Sequence, residues 1–274
     1  MNPNLEDLKA MATRAGEILR AGFEQPNRGL QLKREIDVVT ETDLKSEKYL
    51  LEQINTRFPD HHIVAEESGE NHGDQRCTWY IDPLDGTSNF AHGLPIFSVS
   101  IGYARDGDLT LGVVYDPIRD EMFSAEKGKG AFLNDVPIRA AAQTELRHSM
   151  VVTGFPYDRF TSPINNLAFF NAFALKVRSI RRLGSAALDM CYVAAGRFNG
   201  YWEFKMESWD IAAGTLIARE AGAHVTKMNG DPDVIHGNHS ILAANPGLHD
   251  EMFKLIEEVI SQPENGAYQE FLAE

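Results

Sequence analysis

The apolar positions at the start of the chain recur at Leu5, Leu8, Met11/Ala12, Ala15, Ile18/Leu19 and Phe23, the three-to-four spacing of one helical face. Polar residues fill the other face, so the segment predicts an amphipathic helix rather than the unbroken apolar core of a signal peptide. A short extended piece follows (Ile36, Val38, Val39), then a second helix over 43–58 whose stripe is Leu44, Leu50/Leu51, Ile54 and Phe58. From there the period shortens. "HIVAEESG" and "TWYIDPLDG" read as strands that run straight into acid. Residues 96–139 read as an antiparallel meander of "IFSVSIGYA", "DLTLGVVY" and "EMFSAEKGKGAFLN", punctuated by Asp106-Gly107 and Gly128-Lys129-Gly130. The remainder alternates: strand "SMVVTG", helix 163–175, strand "KVRSI", helix 184–197, strand "GYWEF" and a helix from "WDIAAGTLIAREAG". Strands "AHVTKM" and "SILAA" follow, and a last helix over 246–261 opens with Pro246 in its first turn.

Two leading helices and a β-rich half, followed by an alternating half, predict layered α/β or α+β packing. The change of pattern near 140–149 separates an N-terminal α+β half, 1–145, from a C-terminal α/β half, 146–274. No flexible linker marks the boundary, so the halves are expected to share a large interface as one compact unit. A chain of 274 residues can bury such a core, and 43% hydrophobic with 24% charged residues is ordinary for a globular protein. No apolar run approaches the roughly 18 residues that cross a bilayer; no membrane partner is expected, and the expected location is the cytoplasm. Cys77 and Cys191 are too few for a disulfide framework or a zinc cluster. The net charge of −14 argues against direct nucleic-acid binding by the overall field. An anionic substrate would need the sign reversed locally, and a bound cation does that most simply.

The candidate chemistry lies in five acids: Asp43, Glu66, Asp82, Asp85 and Asp210. Asp82 and Asp85 end an apolar strand, where an unpaired carboxylate costs several kcal/mol or takes up a proton. Divalent cations between them would explain both, and hard oxygen ligands suit Mg²⁺, Mn²⁺ or Ca²⁺. An ordinary Asp-Gly turn would explain them too. Glu66 and Glu67 end "HIVA" in the same way, Asp210 follows a Ser208 that could cap its helix, and Asp43 could cap the helix it begins. Gly86 lets a ligand approach the backbone, and Thr87-Ser88-Asn89 reads as a helix start able to meet phosphate. The D-x-x-D spacing, with Leu84 inside it, excludes the D-x-D pair of haloacid-dehalogenase-type phosphotransferases. Walker and Rossmann glycine patterns are absent, and "GKG" at 128–130 reads as a hairpin turn.

"AEES" (65–68), "DPLDGTSNF" (82–90) and "WDIAAG" (209–214), in this order, resemble the inositol monophosphatase family of Mg²⁺-dependent, lithium-sensitive phosphatases. "DVVTETD" (37–43), "GVVYDP", "KGKGAF" and "GSAALDMCYVAAGRFNGYWE" (184–203) extend the resemblance over nearly the whole chain. It implies a layered αβαβα sandwich, usually a homodimer, that hydrolyses a small phosphate ester with two to three Mg²⁺ ions, Mn²⁺ being a substitute. By the same resemblance Glu66, Asp82 and the Leu84 carbonyl match a first metal site, and Asp82, Asp85 and Asp210 a second, with Glu66 serving a looser third ion. Asp43 and Thr87, with Glu66 nearby, match the groups that orient and deprotonate the attacking water. Leu84, Asp85, Gly86, Thr87, Gly184, Ser185, Ala186, Glu203 and Asp210 match the substrate-binding positions. Lys33 falls in the loop that closes over the metals, and "FKMES" (204–208) departs from the family's small segment there. Inositol monophosphate is the expected substrate. Fructose 1,6-bisphosphate, histidinol phosphate, NADP and nucleotide 3′-phosphates are the alternatives within the superfamily, and a regulatory binding role in transcription or RNA processing is the alternative outside it.

Overall fold

The computed structural model describes residues 2–26, 28, 31–32, 38–237 and 239–273. The expected strand residue Ile36 and the loop residue Lys33 lie outside them. In chain order the first half runs α1 (Leu5–Phe23), β1 (Gln31–Leu32), β2 (Val38–Val39), α2 (Glu41–Arg57), β3 (His61–Ala65), β4 (Gly69–Glu70), β5 (Asp74–Asp85) and α3 (Thr87–Ala91). The meander follows as β6 (Ser98–Arg105), β7 (Asp108–Asp116), β8 (Glu121–Glu126), β9 (Ala131–Leu133) and β10 (Val136–Pro137). The rest runs β11 (Met150–Thr153), α4 (Leu167–Ala174), β12 (Ser179–Arg181), α5 (Ala186–Ala194), β13 (Gly200–Phe204) and α6 (Ser208–Glu220). It closes with β14 (His224–Thr226), β15 (Ser240–Ala244), α7 (Pro246–Ile260) and α8 (Gly266–Ala273).

Several elements are shorter than the pattern predicts, for local reasons. The helix expected over 184–197 spans only 186–194, because Gly184 and Gly196 take positive φ (86° and 69°) at its two ends. The helix expected from 163 starts at Leu167, after Asn166 in the left-handed region. Conversely α2 begins at Glu41 because Thr40 caps it, and "EMFSAEKGKGAFLN" splits at its Gly-Lys-Gly turn into the β8–β9 hairpin.

Two sheets carry the fold. The larger has eight strands in the order β10-β9-β8-β7-β6-β5-β3-β4, and the smaller has five in the order β12-β11-β13-β15-β14. Side chains of a strand alternate between faces, which decides the layering. Trp79, Ile81, Val99, Ile101 and Val113 face α1 and α2, where they bury with Leu8, Ala12, Leu50 and Ile54. Tyr80, Val114 and Phe123 face the other way, onto Leu188, Ile211 and Leu216 of α5 and α6. That same helical layer receives Tyr201, Ile241 and Ala243 from the smaller sheet, whose opposite residues Trp202, Leu242 and Ala244 bury under α4, α7 and α8. The result is an αβαβα sandwich. Each fully buried Trp, Phe or Leu in these layers contributes about 1.5–3 kcal/mol of transfer free energy.

One contact brings the middle layer unusually near the larger sheet. Gly102 and Gly112 are register partners on β6 and β7. A Cβ on Gly102 would lie 2.8 Å from Ala212 Cβ, and one on Gly112 2.8 Å from the Ala213 carbonyl. Glycine under alanine lets α6 lie close on the strands, and Asp210 on its first turn comes with it.

Candidate active site

The site begins at the end of β5. Strand alternation would put Asp82 and Asp85 on opposite faces. The pairing with β6 shifts between Asp82↔Ser100 and Asp85↔Ser98, so β5 carries one extra residue at Pro83–Leu84. That bulge turns Asp85 to the face that already holds Asp82, toward α5 and α6. Ser46 of α2 secures the bulge by donating to the Pro83 carbonyl at 2.9 Å.

Asp85 then meets the start of α5. It accepts from Ser185 Oγ at 2.5 Å and from the backbone N–H of Ala187 at 2.8 Å and Ala186 at 3.2 Å. A carboxylate against a helix N-terminus is stabilised by the dipole and by N–H groups that lack partners within the helix. Burial nonetheless pushes its pKa above the ordinary value. Asp82 is 2% exposed and accepts from the Leu84 N–H at 2.9 Å. Burial and then the charges of Glu66, Asp85 and Asp210 push its pKa well up. Asp210 is pushed well up by burial and then by Asp85. Glu207, not Ser208, holds the cap position of α6; its N–H donates to Asp210 Oδ2 at 2.7 Å.

Asp43 serves two structures with two oxygens. Oδ2 accepts from the backbone N–H of Thr40 at 3.0 Å and from its hydroxyl, which closes a capping box at the start of α2. Oδ1 lies 3.0 Å from Thr87 Oγ1, which in turn lies 2.9 Å from the Leu84 carbonyl. The Thr87 hydroxyl has one proton for two acceptors, so both contacts are hydrogen bonds only if Asp43 holds a proton. Burial raises the Asp43 pKa. Gly86 before them has φ 99°, and a Cβ there would lie 2.9 Å from the Ile96 carbonyl.

Glu66, Asp82, Asp85, Thr87 and Asp210 meet in one cleft of about 510 Å³. Among the described residues its lining includes the acids Glu66, Asp82, Asp85, Asp158, Glu207 and Asp210 against a single cation, Lys205. Lys205 comes from the departing "FKMES" segment, and its ammonium is bonded to Asp158 at 2.5 Å and Ser162 at 2.7 Å. A smaller lobe of about 90 Å³ adjoins it, bounded by Gly184, Ser185, Ala186 and Glu203 together with Arg182 and Asp189. Glu203 faces the α5–α6 layer, accepts from Tyr201 OH at 2.7 Å, and is pushed up to about 7, chiefly by burial. Each residue singled out for the site within the described chain therefore borders the cleft or its lobe, or, for Asp43, bonds to Thr87.

Arg182 and Asp189 were not anticipated. Asp189 is 1% exposed, and its Oδ1 has no hydrogen-bond partner among the described residues. Burial, then Glu203 and Asp85, push its pKa well above the usual range. Its signal was legible: it is the sole charged residue of α5, whose nine residues are all buried. The expected helix start at Thr87-Ser88-Asn89 is present as the five-residue α3.

The cleft's chemistry fits divalent cations. Among the described residues, Asp82 and Asp85 are buried and, with Asp210, repel one another; the one lysine of the cleft is engaged by Asp158, and Arg182 borders only the adjoining lobe. The Leu84 carbonyl adds a neutral oxygen beside the acids. Among the described residues no helix is long and apolar enough to cross a membrane.

The sequence profile of the inositol monophosphatase family matches residues 3–261. The Nus factor SuhB of Pasteurella multocida is 43% identical over 264 residues, covering 95% of this chain and 98% of that protein. The inositol-1-monophosphatase of Mesorhizobium japonicum is 39% identical, covering 91% and 94%. The solved structure of inositol monophosphatase from Anabaena superposes with a TM-score of 0.84 at 39% identity, covering 96% of this chain and 97% of that one.

Proposed function

Because the chain belongs to the inositol monophosphatase family, we propose that it is a Mg²⁺-dependent phosphomonoesterase acting on a small polyol or sugar phosphate, inositol monophosphate first. The observation that carries the reading is the cleft's charge. Among the described residues six acids line the cleft against one lysine engaged by Asp158, a field that opposes a phosphate dianion and that cations held by the same acids would reverse. Glu66, Asp82 and the Leu84 carbonyl would hold one ion, and Asp82, Asp85 and Asp210 a second, with Glu66 available to a third. When bound, such ions supply Lewis-acid polarisation of the phosphoryl group, a lowered pKa for bound water and stabilisation of the leaving oxygen.

The chain's own groups do the rest. Thr87 and Asp43, 3.0 Å apart, would orient a nucleophile, with Asp43 the group to take its proton. The backbone N–H groups at Gly86 and Thr87 meet the phosphate. Glu203, with Gly184, Ser185 and Ala186, faces the substrate's hydroxyls, and Lys205 marks where this chain's preference would differ from relatives with a smaller segment. A homodimer is expected from the same family reading.

Assays of phosphate release from inositol 1-phosphate, fructose 1,6-bisphosphate, histidinol phosphate, NADP and adenosine 3′,5′-bisphosphate test the proposal. Mg²⁺-dependent turnover of at least one is expected, and none from any would refute it. Asp85→Asn should lower kcat about a hundredfold or more, since a lost ligand forfeits several kcal/mol of charge stabilisation. A second reading, a regulatory binding partner, draws support from the relative named Nus factor SuhB; the complete acid set favours the enzyme.

A further inference from the structure

A second group of ligand-type side chains lies on the outer part of the smaller sheet, on elements that the phosphatase reading does not use. His224 opens the edge strand β14, and His249 and Asp250 lie in the first turns of α7. One ligand atom from each falls within 4.8 Å of the other two, and the two imidazole rings are 4.2 Å apart at an interplanar angle of 31°. His249 is 3% exposed, while His224 and Asp250 are exposed.

The hydrogen bonding of His249 assigns its tautomer. Thr226 Oγ1 lies 2.7 Å from the Lys227 carbonyl, which can only accept. The hydroxyl proton therefore goes to that carbonyl, and at 2.9 Å from His249 Nε2 the Thr226 oxygen can only accept as well. The opposite assignment would face two lone-pair oxygens across 2.7 Å. Nε2 thus carries the ring proton and Nδ1 carries the lone pair. A neutral imidazole whose second nitrogen is tied to an oxygen acceptor is the form in which proteins present histidine to metals, because the bond fixes both tautomer and ring orientation. The ring is also held on its flank by Phe253, stacked at 6.3 Å and 10°.

We propose that His224, His249 and Asp250 form a transition-metal site, of the class that takes Zn²⁺, which ties the edge strand β14 to α7. Two nitrogens and one carboxylate suit Zn²⁺, Co²⁺ or Ni²⁺ and suit Mg²⁺ poorly, because Mg²⁺ demands oxygen ligands. Zinc bonds of about 2.0–2.2 Å need the ligand atoms closer than they now stand. His224 and Asp250 are exposed and can rotate inward, while the buried His249 stays fixed. The acid-lined cleft and this cluster thus sort cations by chemistry, oxygen-loving ions to one and nitrogen-loving ions to the other. The inference stands apart from the phosphatase reading, and either can fail without the other.

The test is titration of Zn²⁺ alone into the full-length chain held in excess Mg²⁺, read by calorimetry, with the visible d–d bands of Co²⁺ as a ligand-field signature. One Zn²⁺ per chain should bind and raise the melting temperature. His224→Ala and Asp250→Asn, both at exposed positions and so expected to fold, should weaken binding at least tenfold and leave Mg²⁺-dependent phosphate release unchanged. Thr226→Val, which removes the partner of Nε2 together with the hydroxyl's bond to the Lys227 carbonyl, should weaken it about 10–100-fold. Unchanged Zn²⁺ affinity in His224→Ala, or zinc binding that excess Mg²⁺ abolishes, would overturn the proposal.

Discussion

Replacing Asp82 by Asn isolates the electrostatic cost built into the cleft. The amide matches the carboxylate in shape, and its oxygen can still accept from the Leu84 N–H that now lies 2.9 Å away. What disappears is a charge at a 2% exposed position, facing Glu66, Asp85 and Asp210. A polar group buried without compensation costs about 1–3 kcal/mol in mutational data, and a charge at least as much. Without divalent ions Asp82→Asn should therefore be the more stable protein, by about 1–3 kcal/mol. At about 2–4 °C per kcal/mol for a chain of this size, the melting temperature rises by about 2–12 °C. The pH dependence has a definite sign. A carboxyl whose folded pKa is raised keeps its proton in the native state after the unfolded chain has lost it. The metal-free wild type therefore loses stability as pH climbs from the ordinary carboxylate range through the raised value, and the gap to the variant widens over the same interval. With Mg²⁺ at a hundredfold its dissociation constant the wild type should gain about 2.7 kcal/mol and the variant much less, so the order of stabilities narrows or inverts. Scanning calorimetry with chelator and with Mg²⁺, at several pH values, reads all of this. A metal-free variant that melts below the wild type, or equal Mg²⁺ responses in the two proteins, would refute the reasoning.

Glu203, pushed up to about 7, should give kcat/KM for a hydroxyl-rich substrate a break near neutral pH that Glu203→Gln lacks; a break of equal size in the variant would assign it elsewhere. A Cβ on Gly154 would fall 1.9 Å from Glu203 Oε1, so Gly154→Ala should displace that carboxylate and raise KM for polyol phosphates by about tenfold or less while kcat holds, which steady-state kinetics will show. Asp189→Asn removes a buried charge that Glu203 and Asp85 oppose and should stabilise the fold by about 1–3 kcal/mol at neutral pH. That advantage should shrink toward acid, where the wild-type carboxyl is protonated in both states; a variant melting below wild type at pH 8 would contradict it.

The layering was legible because apolar period is a local property. "WYID" and "GYWEF" carry consecutive apolar residues, as strands buried on both faces do, and each face found a helical layer to bury it. The acids were legible because "AEES", "DPLDGTSNF" and "WDIAAG" occur together and in order; D-x-x-D alone is equally an Asp-Gly turn. The bulge at Pro83–Leu84 was not, since it exists only in the pairing of β5 with β6. Nor was the bond from α5 to Asp85, which joins residues a hundred positions apart. The expected elements end at 261, so α8, with Tyr268 and Leu272 as its buried residues, lies beyond them. The shortened α5 shows the opposite error: apolar continuity extended a helix past glycines whose backbone ends it.

The two oxygens of Asp43 bear on how drifted relatives should be interpreted. One oxygen holds the start of α2 whether or not any reaction takes place, and Asp85 likewise anchors α5. Selection for folding alone would keep both acids in a descendant that had abandoned chemistry. Asp82 enjoys no such protection, since an amide would serve its backbone bond equally well and spare the repulsion. An aspartate retained at 82 is thus the better witness to a working enzyme, and an asparagine there the earliest trace of retirement.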